Sequence, residues 1–195
     1  MIKTAELLAV LNEHRGDAIV IPGRGGRHWV PISKRPELDV PLGDPAMGGH
    51  ASFAFGLAMA RPDRRVVLID SEGDVLMGMG ILPVVGEHQP KNFYHFMLDN
   101  ECWATTGGQP VPNAKNVAYD LIAKGAGYRA AYAYDSLETW SNNIVRILSE
   151  PGPVFVALKI VPEVINEPIG SRKPWNTRTK DEVIRTMQKA IGVTP

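Results

Sequence analysis

The sequence contains a single cysteine, Cys102, among its 195 residues. One cysteine excludes an internal disulfide, a CxxC metal site and an iron–sulfur cluster held by this chain alone. Such sparing use of cysteine is typical of proteins from reducing compartments, so we expect a cytoplasmic location.

The sequence also lacks a net charge, because 21 Lys and Arg residues balance 21 Asp and Glu residues. A neutral chain gives no reason to expect binding to nucleic acid or to an anionic membrane. No apolar run approaches the length needed to span a bilayer, and the first 17 residues mix acidic and polar side chains with apolar ones, unlike a signal peptide. We therefore expect neither nucleic acid nor membrane as a partner.

Short apolar runs alternate along the chain with segments that have helical patterns. Predicted strands cover residues 18–21, 66–69, 93–98, 129–134 and 153–161. Predicted helices cover residues 4–14, 51–60, 115–124, 136–149 and 179–191, with Thr4, Asp135 or Ser136, and Thr179 as N-caps and Glu182 completing a capping box. The alternation predicts one domain over residues 1–195, an α/β fold with three α/β/α layers and a mainly parallel sheet.

Polar turns follow two of the predicted strands, at the point where each strand ends. Asp70-Ser71-Glu72-Gly73-Asp74 follows the strand at 66–69, and Asp99-Asn100 ends the strand at 93–98. In open α/β sheets ligands bind at the carboxyl ends of the strands, so we expect these turns to meet there. Carboxylate and amide oxygens suit Mg²⁺, and glycine backbone next to a helix start can approach phosphate. The stretch is therefore a candidate metal and diphosphate site, but acidic and glycine residues are also common in ordinary surface turns, and the residues alone favour that simpler interpretation.

The same stretch resembles the diphosphate-binding domain of thiamine diphosphate-dependent enzymes. In that family a strand ends in a Gly-Asp-Gly turn and a later strand ends in Asn-Asn or Asp-Asn. Leu98-Asp99-Asn100, followed by Thr106-Gly107-Gly108-Gln109-Pro110, is similar to the pattern of the sulfopyruvate decarboxylase β subunit and of phosphonopyruvate decarboxylase. The resemblance extends from about Gly43 to Pro110 and implies the thiamine diphosphate-binding fold, with thiamine diphosphate and Mg²⁺ as cofactors.

The resemblance also implies roles for individual residues. The expected metal ligands are Glu72, the Asn100 side chain and the backbone carbonyl of Cys102. Met47, as the apolar residue that holds the cofactor bent, and His50, next to diphosphate or substrate, are the expected catalytic residues. The expected cofactor-binding residues are Gly48, Gly49, Ser71, Gly73, Asp74, Asn100 and Thr105.

One position of the motif departs from the family pattern. Ser71-Glu72-Gly73-Asp74 stands where Gly-Asp-Gly-Ser is usual, so that Glu72 replaces the metal-binding aspartate. A second alignment, on the literal Gly73-Asp74, would give the metal to Asp74. We prefer Glu72, because the second alignment moves the following helix out of phase with its apolar pattern.

The remaining histidines and arginines have less defined roles. We expect His95 to be an interior residue and His14 and His88 to lie on the surface. Arg24, Arg27 and His28 follow the first strand in a glycine-rich loop, where they could face an acidic substrate or only solvent.

The functional expectation is the β-type subunit of a two-subunit, thiamine diphosphate-dependent 2-oxo acid decarboxylase. The chain has room for the diphosphate and metal domain alone, so the resemblance implies an α-type partner subunit that carries the pyrimidine-binding domain, and a hetero-oligomer. An acetolactate synthase-like carboligase subunit is one alternative. A non-catalytic subunit, whose Glu72 marks a decayed metal site, is the other.

Overall fold

The computed structural model describes residues 1–41, 48–172 and 174–193. Within these residues a five-stranded parallel sheet has the strand order β1-β2-β3-β7-β6. A short antiparallel pair, β4 with β5, lies outside that sheet. The strands are β1 (Ile19–Ile21), β2 (Val66–Ser71), β3 (Phe93–Asp99), β4 (Cys102–Trp103), β5 (Gln109–Pro110), β6 (Ala130–Tyr134) and β7 (Val154–Lys159).

Helices cover both faces of the sheet. They are α1 (Thr4–His14), α2 (Gly26–Trp29), α3 (His50–Ala60), α4 (Glu72–Met77), α5 (Ile81–His88), α6 (Tyr119–Gly125), α7 (Leu137–Ser149) and α8 (Lys180–Ala190). None of the helices in the described ranges is both long enough and apolar enough to cross a membrane.

Two hydrophobic clusters lie on opposite faces of the sheet, because successive side chains of a strand point to opposite sides. On β2, Val66 and Leu68 belong to the cluster beneath α3, α5, α6 and α8, whereas Val67 and Ile69 belong to the cluster beneath α1 and α7. All seven residues of the central strand β3 are buried. The α/β fold with a mainly parallel sheet, predicted from the sequence, is confirmed.

Several element limits differ from the prediction; β2, for example, extends to Ser71, and β7 ends at Lys159. Thr4 is the first residue of α1 rather than its N-cap; Lys3 takes the cap position, and no side chain caps the helix. Helix α6 begins at Tyr119 rather than at residue 115, because the chain before it makes a turn in which the Asn116 N–H bonds to the Asn113 carbonyl and Asn113 has a positive φ of 54°. The capping box of Thr179 and Glu182 is confirmed.

A matched pair of glycine substitutions tests the packing of α5. A Cβ added at Gly86 would lie 2.0 Å from the Ala126 carbonyl oxygen, whereas one added at Gly56 on α3 would meet nothing within 4 Å. We expect Gly86→Ala to lower the free energy of unfolding by about 1–3 kcal/mol through overpacking. Gly56→Ala should raise it by up to about 1 kcal/mol, because alanine is the better helix former. Urea denaturation measures both; equal effects would contradict the close approach at Gly86.

Candidate metal and diphosphate site at the carboxyl edge of the sheet

The turn after β2 starts a helix at once. Ser71 is the N-cap of α4, and its Oγ accepts a hydrogen bond from the Asp74 N–H at 3.2 Å. The first turn of α4 therefore consists of Glu72, Gly73 and Asp74, all of them buried. Because β2 and β3 are parallel and paired in register from Val66 with Phe93 to Ser71 with Leu98, this turn lies beside the end of β3.

Glu72 has the most unusual environment at this edge. Its side chain is buried, with 1% of the residue surface exposed. Oε1 accepts a hydrogen bond from the Cys102 N–H at 3.2 Å, while Oε2 is buried with no hydrogen-bond partner among the described residues. Burial, with a smaller contribution from the charge of Asp99, raises the pKa of Glu72 to about 7. A cation next to Oε2 would give this carboxylate the partner that it lacks.

The turn after β3 faces Glu72. The Asn100 Oδ1 accepts a hydrogen bond from the Cys102 N–H at 3.0 Å, so that this one N–H bridges Asn100 and Glu72. Burial, followed by the charge of Glu72, raises the pKa of the Cys102 thiol. A thiol in this state is a poor nucleophile. The turn thus brings together Glu72, Asn100 and Cys102, which are the three expected metal ligands.

Asp74 has its partners already. Arg24 donates two hydrogen bonds to it, from Nε to Oδ2 at 2.8 Å and from Nη2 to Oδ1 at 3.0 Å. The Gly48 N–H donates to Oδ1 at 3.1 Å, and the His50 Nδ1 lies 3.3 Å from Oδ2. Although burial opposes ionisation, the hydrogen bonds from His50 and Arg24 hold the pKa of Asp74 below its usual range. Both oxygens of Asp74 are therefore engaged within the protein.

His50 is buried at the start of α3. Burial disfavours its charged form, but the hydrogen bond to Asp74 and the charge of Asp74 raise its pKa overall. His50, Asp70 and Asp74 each offer one ligand atom, and these atoms lie within 4.8 Å of one another. We do not favour a metal there, because Arg24 already binds both carboxylate oxygens of Asp74.

The other expected site residues lie around this edge or outside the described residues. Gly48 has a positive φ of 80°, and a Cβ there would lie 2.8 Å from the Gly78 backbone nitrogen, so only glycine fits. Gly49 directly precedes α3. Thr105 is exposed in a short 3₁₀ turn, and its carbonyl accepts a bond from the Arg172 Nη2 at 2.7 Å. Met47 lies outside the described residues.

The sequence reasoning missed two aromatic residues at the site. The Trp103 ring packs on the Gly73 backbone, where an added Cβ would lie 2.6 Å from ring atom Cζ3. The Tyr119 hydroxyl is buried without a hydrogen-bond partner in the described ranges, and burial, followed by the charges of Asp99 and Glu72, raises its pKa. A tyrosine at the start of a helix carries no pattern that distinguishes it from an ordinary core residue, so no sequence signal marked Tyr119.

His95, Arg24 and His28 each have a side-chain partner in the structure. His95 is fully buried, as expected, with Nε2 at 3.1 Å from the Asp70 Oδ2 and Nδ1 at 3.1 Å from the Tyr128 hydroxyl. Arg24 pairs with Asp74, and the His28 Nε2 lies 3.1 Å from the Glu163 Oε2.

Comparison with known proteins identifies the family. Residues 27–158 match the family described as thiamine pyrophosphate enzyme, C-terminal TPP binding domain. The chain belongs to this family. The phosphonopyruvate decarboxylase of Streptomyces viridochromogenes is 37% identical over 164 residues, which cover 82% of this chain and 40% of that protein. The sulfopyruvate decarboxylase subunit beta of Methanothermobacter thermautotrophicus is 30% identical over 171 residues, which cover 87% of this chain and 88% of that subunit.

Two solved structures share the fold of this chain. A Mycobacterium smegmatis protein assigned to the thiamin diphosphate-dependent enzymes superposes with a TM-score of 0.69 at 18% identity, covering 83% of this chain and 32% of that one. The thiamine diphosphate-dependent 4-hydroxybenzoylformate decarboxylase of Rhodococcus jostii RHA1 superposes with a TM-score of 0.63 at 16% identity. The match covers 85% of this chain and 33% of that one. The family's fold thus accounts for about a third of each of these longer chains.

The environment of Glu72 predicts a pH-dependent stability in the absence of metal. Its folded-state pKa of about 7 lies above the usual value of 4.5. The folded state therefore holds the proton more tightly, and the stability contributed by the protonated group is lost as the pH rises from about 4.5 to about 7. We expect the free energy of unfolding of the wild type, relative to Glu72→Gln, to fall by about 3 kcal/mol over that range.

Denaturant unfolding with EDTA present at several pH values measures this difference. Glu87→Gln is the matched control, because Glu87 is an exposed glutamate on α5. Parallel profiles for the wild type and Glu72→Gln would contradict the pKa assigned to Glu72.

Proposed function

We propose that this chain is the β-type subunit of a two-subunit 2-oxo acid decarboxylase that uses thiamine diphosphate and Mg²⁺, similar to the sulfopyruvate and phosphonopyruvate decarboxylases. One observation supports it above the others: the buried Oε2 of Glu72, which has no hydrogen-bond partner in the part of the chain that the structure describes, lies at the sheet edge beside Asn100 and Cys102. The decarboxylases among the family's relatives supply the reaction type for the proposal.

The donor set fits a magnesium ion. Mg²⁺ prefers oxygen ligands and usually keeps several bound water molecules. It is commonly coordinated by one or two carboxylates together with phosphate oxygens. In the proposal Glu72, the Asn100 side chain and the Cys102 carbonyl hold the metal. Asp74 is the weaker candidate, because Arg24 already binds both of its oxygens.

The remaining expected residues would hold the cofactor. Ser71, Gly73 and Asp74 line the turn at which we place the diphosphate, with Asn100 and Thr105 on the neighbouring loop. When bound, thiamine diphosphate supplies the electron sink that accepts the electrons of the breaking carbon–carbon bond as CO₂ leaves. His50, whose Nδ1 lies 3.3 Å from the Asp74 Oδ2, would stand next to the diphosphate or the substrate. Met47 would support the bent cofactor.

The proposal includes a partner subunit. The chain spans 40% of the Streptomyces decarboxylase but 88% of the Methanothermobacter subunit named beta. We infer an α-type subunit that carries the pyrimidine-binding domain, and a hetero-oligomer that acts in the cytoplasm.

An uncharged, exposed helix face supports the proposal of a partner subunit. Helix α3 has no Asp, Glu, Lys or Arg in its sequence HASFAFGLAMA. It exposes Phe53 (38%) and Met59 (46%), and Met77 and Val84 of the adjoining α4 and α5 segments are exposed as well. This face is continuous with the proposed cofactor site, because α3 starts directly after Gly48-Gly49 and α4 starts with Glu72. We propose that the α-type subunit docks on it and completes the cofactor site.

The function is tested with this chain purified together with the proposed α-type subunit. We expect Mg²⁺-dependent binding of thiamine diphosphate, followed by release of CO₂ from sulfopyruvate or phosphonopyruvate. Ligated products instead of the aldehyde would support a carboligase, and the absence of Mg²⁺-dependent cofactor binding would support a non-catalytic subunit.

Substitutions at the metal ligands should separate binding from folding. We expect Glu72→Ala and Asn100→Ala to weaken Mg²⁺-dependent thiamine diphosphate binding at least tenfold, because each removes an oxygen donor. The midpoint of urea unfolding should change little for Asn100→Ala. Asp74→Asn is the matched comparison. Isothermal titration calorimetry of the complex measures the affinity. If Glu72→Ala leaves the affinity for thiamine diphosphate unchanged while Asp74→Asn weakens it, Asp74 is the metal ligand instead of Glu72.

A charge on the exposed face of α3 should prevent assembly. We expect Phe53→Asp to weaken association with the α-type subunit at least tenfold, because a buried interface does not accommodate an unpaired carboxylate. Val145→Asp on α7 is the control, since Val145 is also an exposed apolar residue (61%) but lies on the opposite layer. Sedimentation velocity of the mixed subunits measures association. Equal effects of the two variants would exclude α3 as the docking face.

A further inference from the structure

Lys159 connects β7 to the turn that carries Asn100. Its Nζ lies 2.9 Å from the Asp99 Oδ2 and 2.8 Å from the Glu101 Oε1. The backbone beneath it is fixed, because Asp99 and Lys159 are register partners in the sheet and the Ile160 N–H bonds to the Asp99 carbonyl at 2.9 Å. A single ammonium group therefore binds the two residues that flank Asn100.

The turn needs such a support for two physical reasons. Glu101 has a φ of 64°, in the left-handed region that favours glycine and that costs a glutamate conformational energy. Asp99 is also buried, and its Oδ1 accepts the Glu101 N–H at 3.2 Å. Without the lysine, the carboxylates of Asp99 and Glu101 would repel each other beside a third carboxylate, Glu72.

Lys159 is suited to this task. Its side chain is 26% exposed, and among the described residues it is the cation that forms ion pairs with Asp99 and Glu101. Although burial opposes the charge, the hydrogen bonds to Glu101 and Asp99 raise the pKa of Lys159.

We propose that Lys159 is a positioning residue: it holds the Asp99–Cys102 turn against Glu72 and so presets the oxygen atoms that bind the metal. The role in metal binding rests on the proposed function, whereas the effect on the turn does not. The ion pair between Lys159 and Glu101 allows a glutamate to occupy a backbone conformation that otherwise favours glycine.

The effect on the turn is measured by amide hydrogen exchange of the full chain without metal or cofactor. The exchange rates of the Glu101 and Cys102 N–H groups report on the turn, because each group donates a hydrogen bond to a side chain of the turn. We expect Lys159→Met to accelerate their exchange at least tenfold, with little change in the urea midpoint. Lys3→Met is the control, since it removes an exposed ion pair with Glu6.

A second substitution distinguishes positioning from general damage. Glu101→Gly removes both the strained side chain and one carboxylate, so Lys159→Met combined with Glu101→Gly should restore exchange to within about threefold of the wild type. Unchanged exchange in Lys159→Met, or no recovery in the double variant, would overturn the inference.

The effect on the metal is measured separately in the complex with the α-type subunit. We expect Lys159→Met to raise the dissociation constant for thiamine diphosphate in Mg²⁺ about tenfold and the double variant to recover most of it. Accelerated exchange with unchanged cofactor affinity would overturn the positioning role. A wild-type complex that binds no cofactor would instead overturn the proposed function, while the exchange data still decide whether Lys159 holds the turn.

Discussion

The burial of the Glu72 carboxylate between two parallel strand ends is the constraint on which the site depends. Strands β2 and β3 are paired in register up to Ser71 and Leu98, so the residues that follow them must share one small volume at the sheet edge. A carboxylate placed there loses water, and one N–H from Cys102 replaces only part of that hydration. The protein tolerates this cost in a position where a divalent cation could offset it.

The distribution of cations around the edge explains why Glu72 differs from its acidic neighbours. Asp74 is paired with Arg24, and Asp99 is paired with Lys159. Glu72 has no such ion pair among the described residues, and burial raises its pKa instead. Asp74 and Asp99 are thus neutralised by the protein's own side chains, whereas the proposed metal would supply the positive charge next to Glu72.

The sequence predicted the sheet and the location of the site, because both depend on local patterns. Apolar runs identified the strands, and the polar turns after 66–69 and 93–98 identified the edge. Pairings between residues that are distant along the chain could not be predicted from the sequence. Arg24 and Asp74 are 50 residues apart, and Lys159 and Asp99 are 60 residues apart. A lysine at the end of an apolar strand has no local signal for its partner. The left-handed backbone conformation of Glu101 could not be predicted from the sequence either, since glutamate rarely adopts it.

The outer face of helix α3 is uncharged. The small residues Ala51, Ala54 and Ala58 of this helix are buried against the sheet, but the opposite side exposes Phe53 and Met59 instead of charged groups. A surface helix of a monomeric domain normally has a polar outer face. The uncharged outer face begins beside Gly48, next to the candidate cofactor site. Docking of the proposed α-type subunit would cover this face and would bring the pyrimidine-binding domain to the same edge of the sheet.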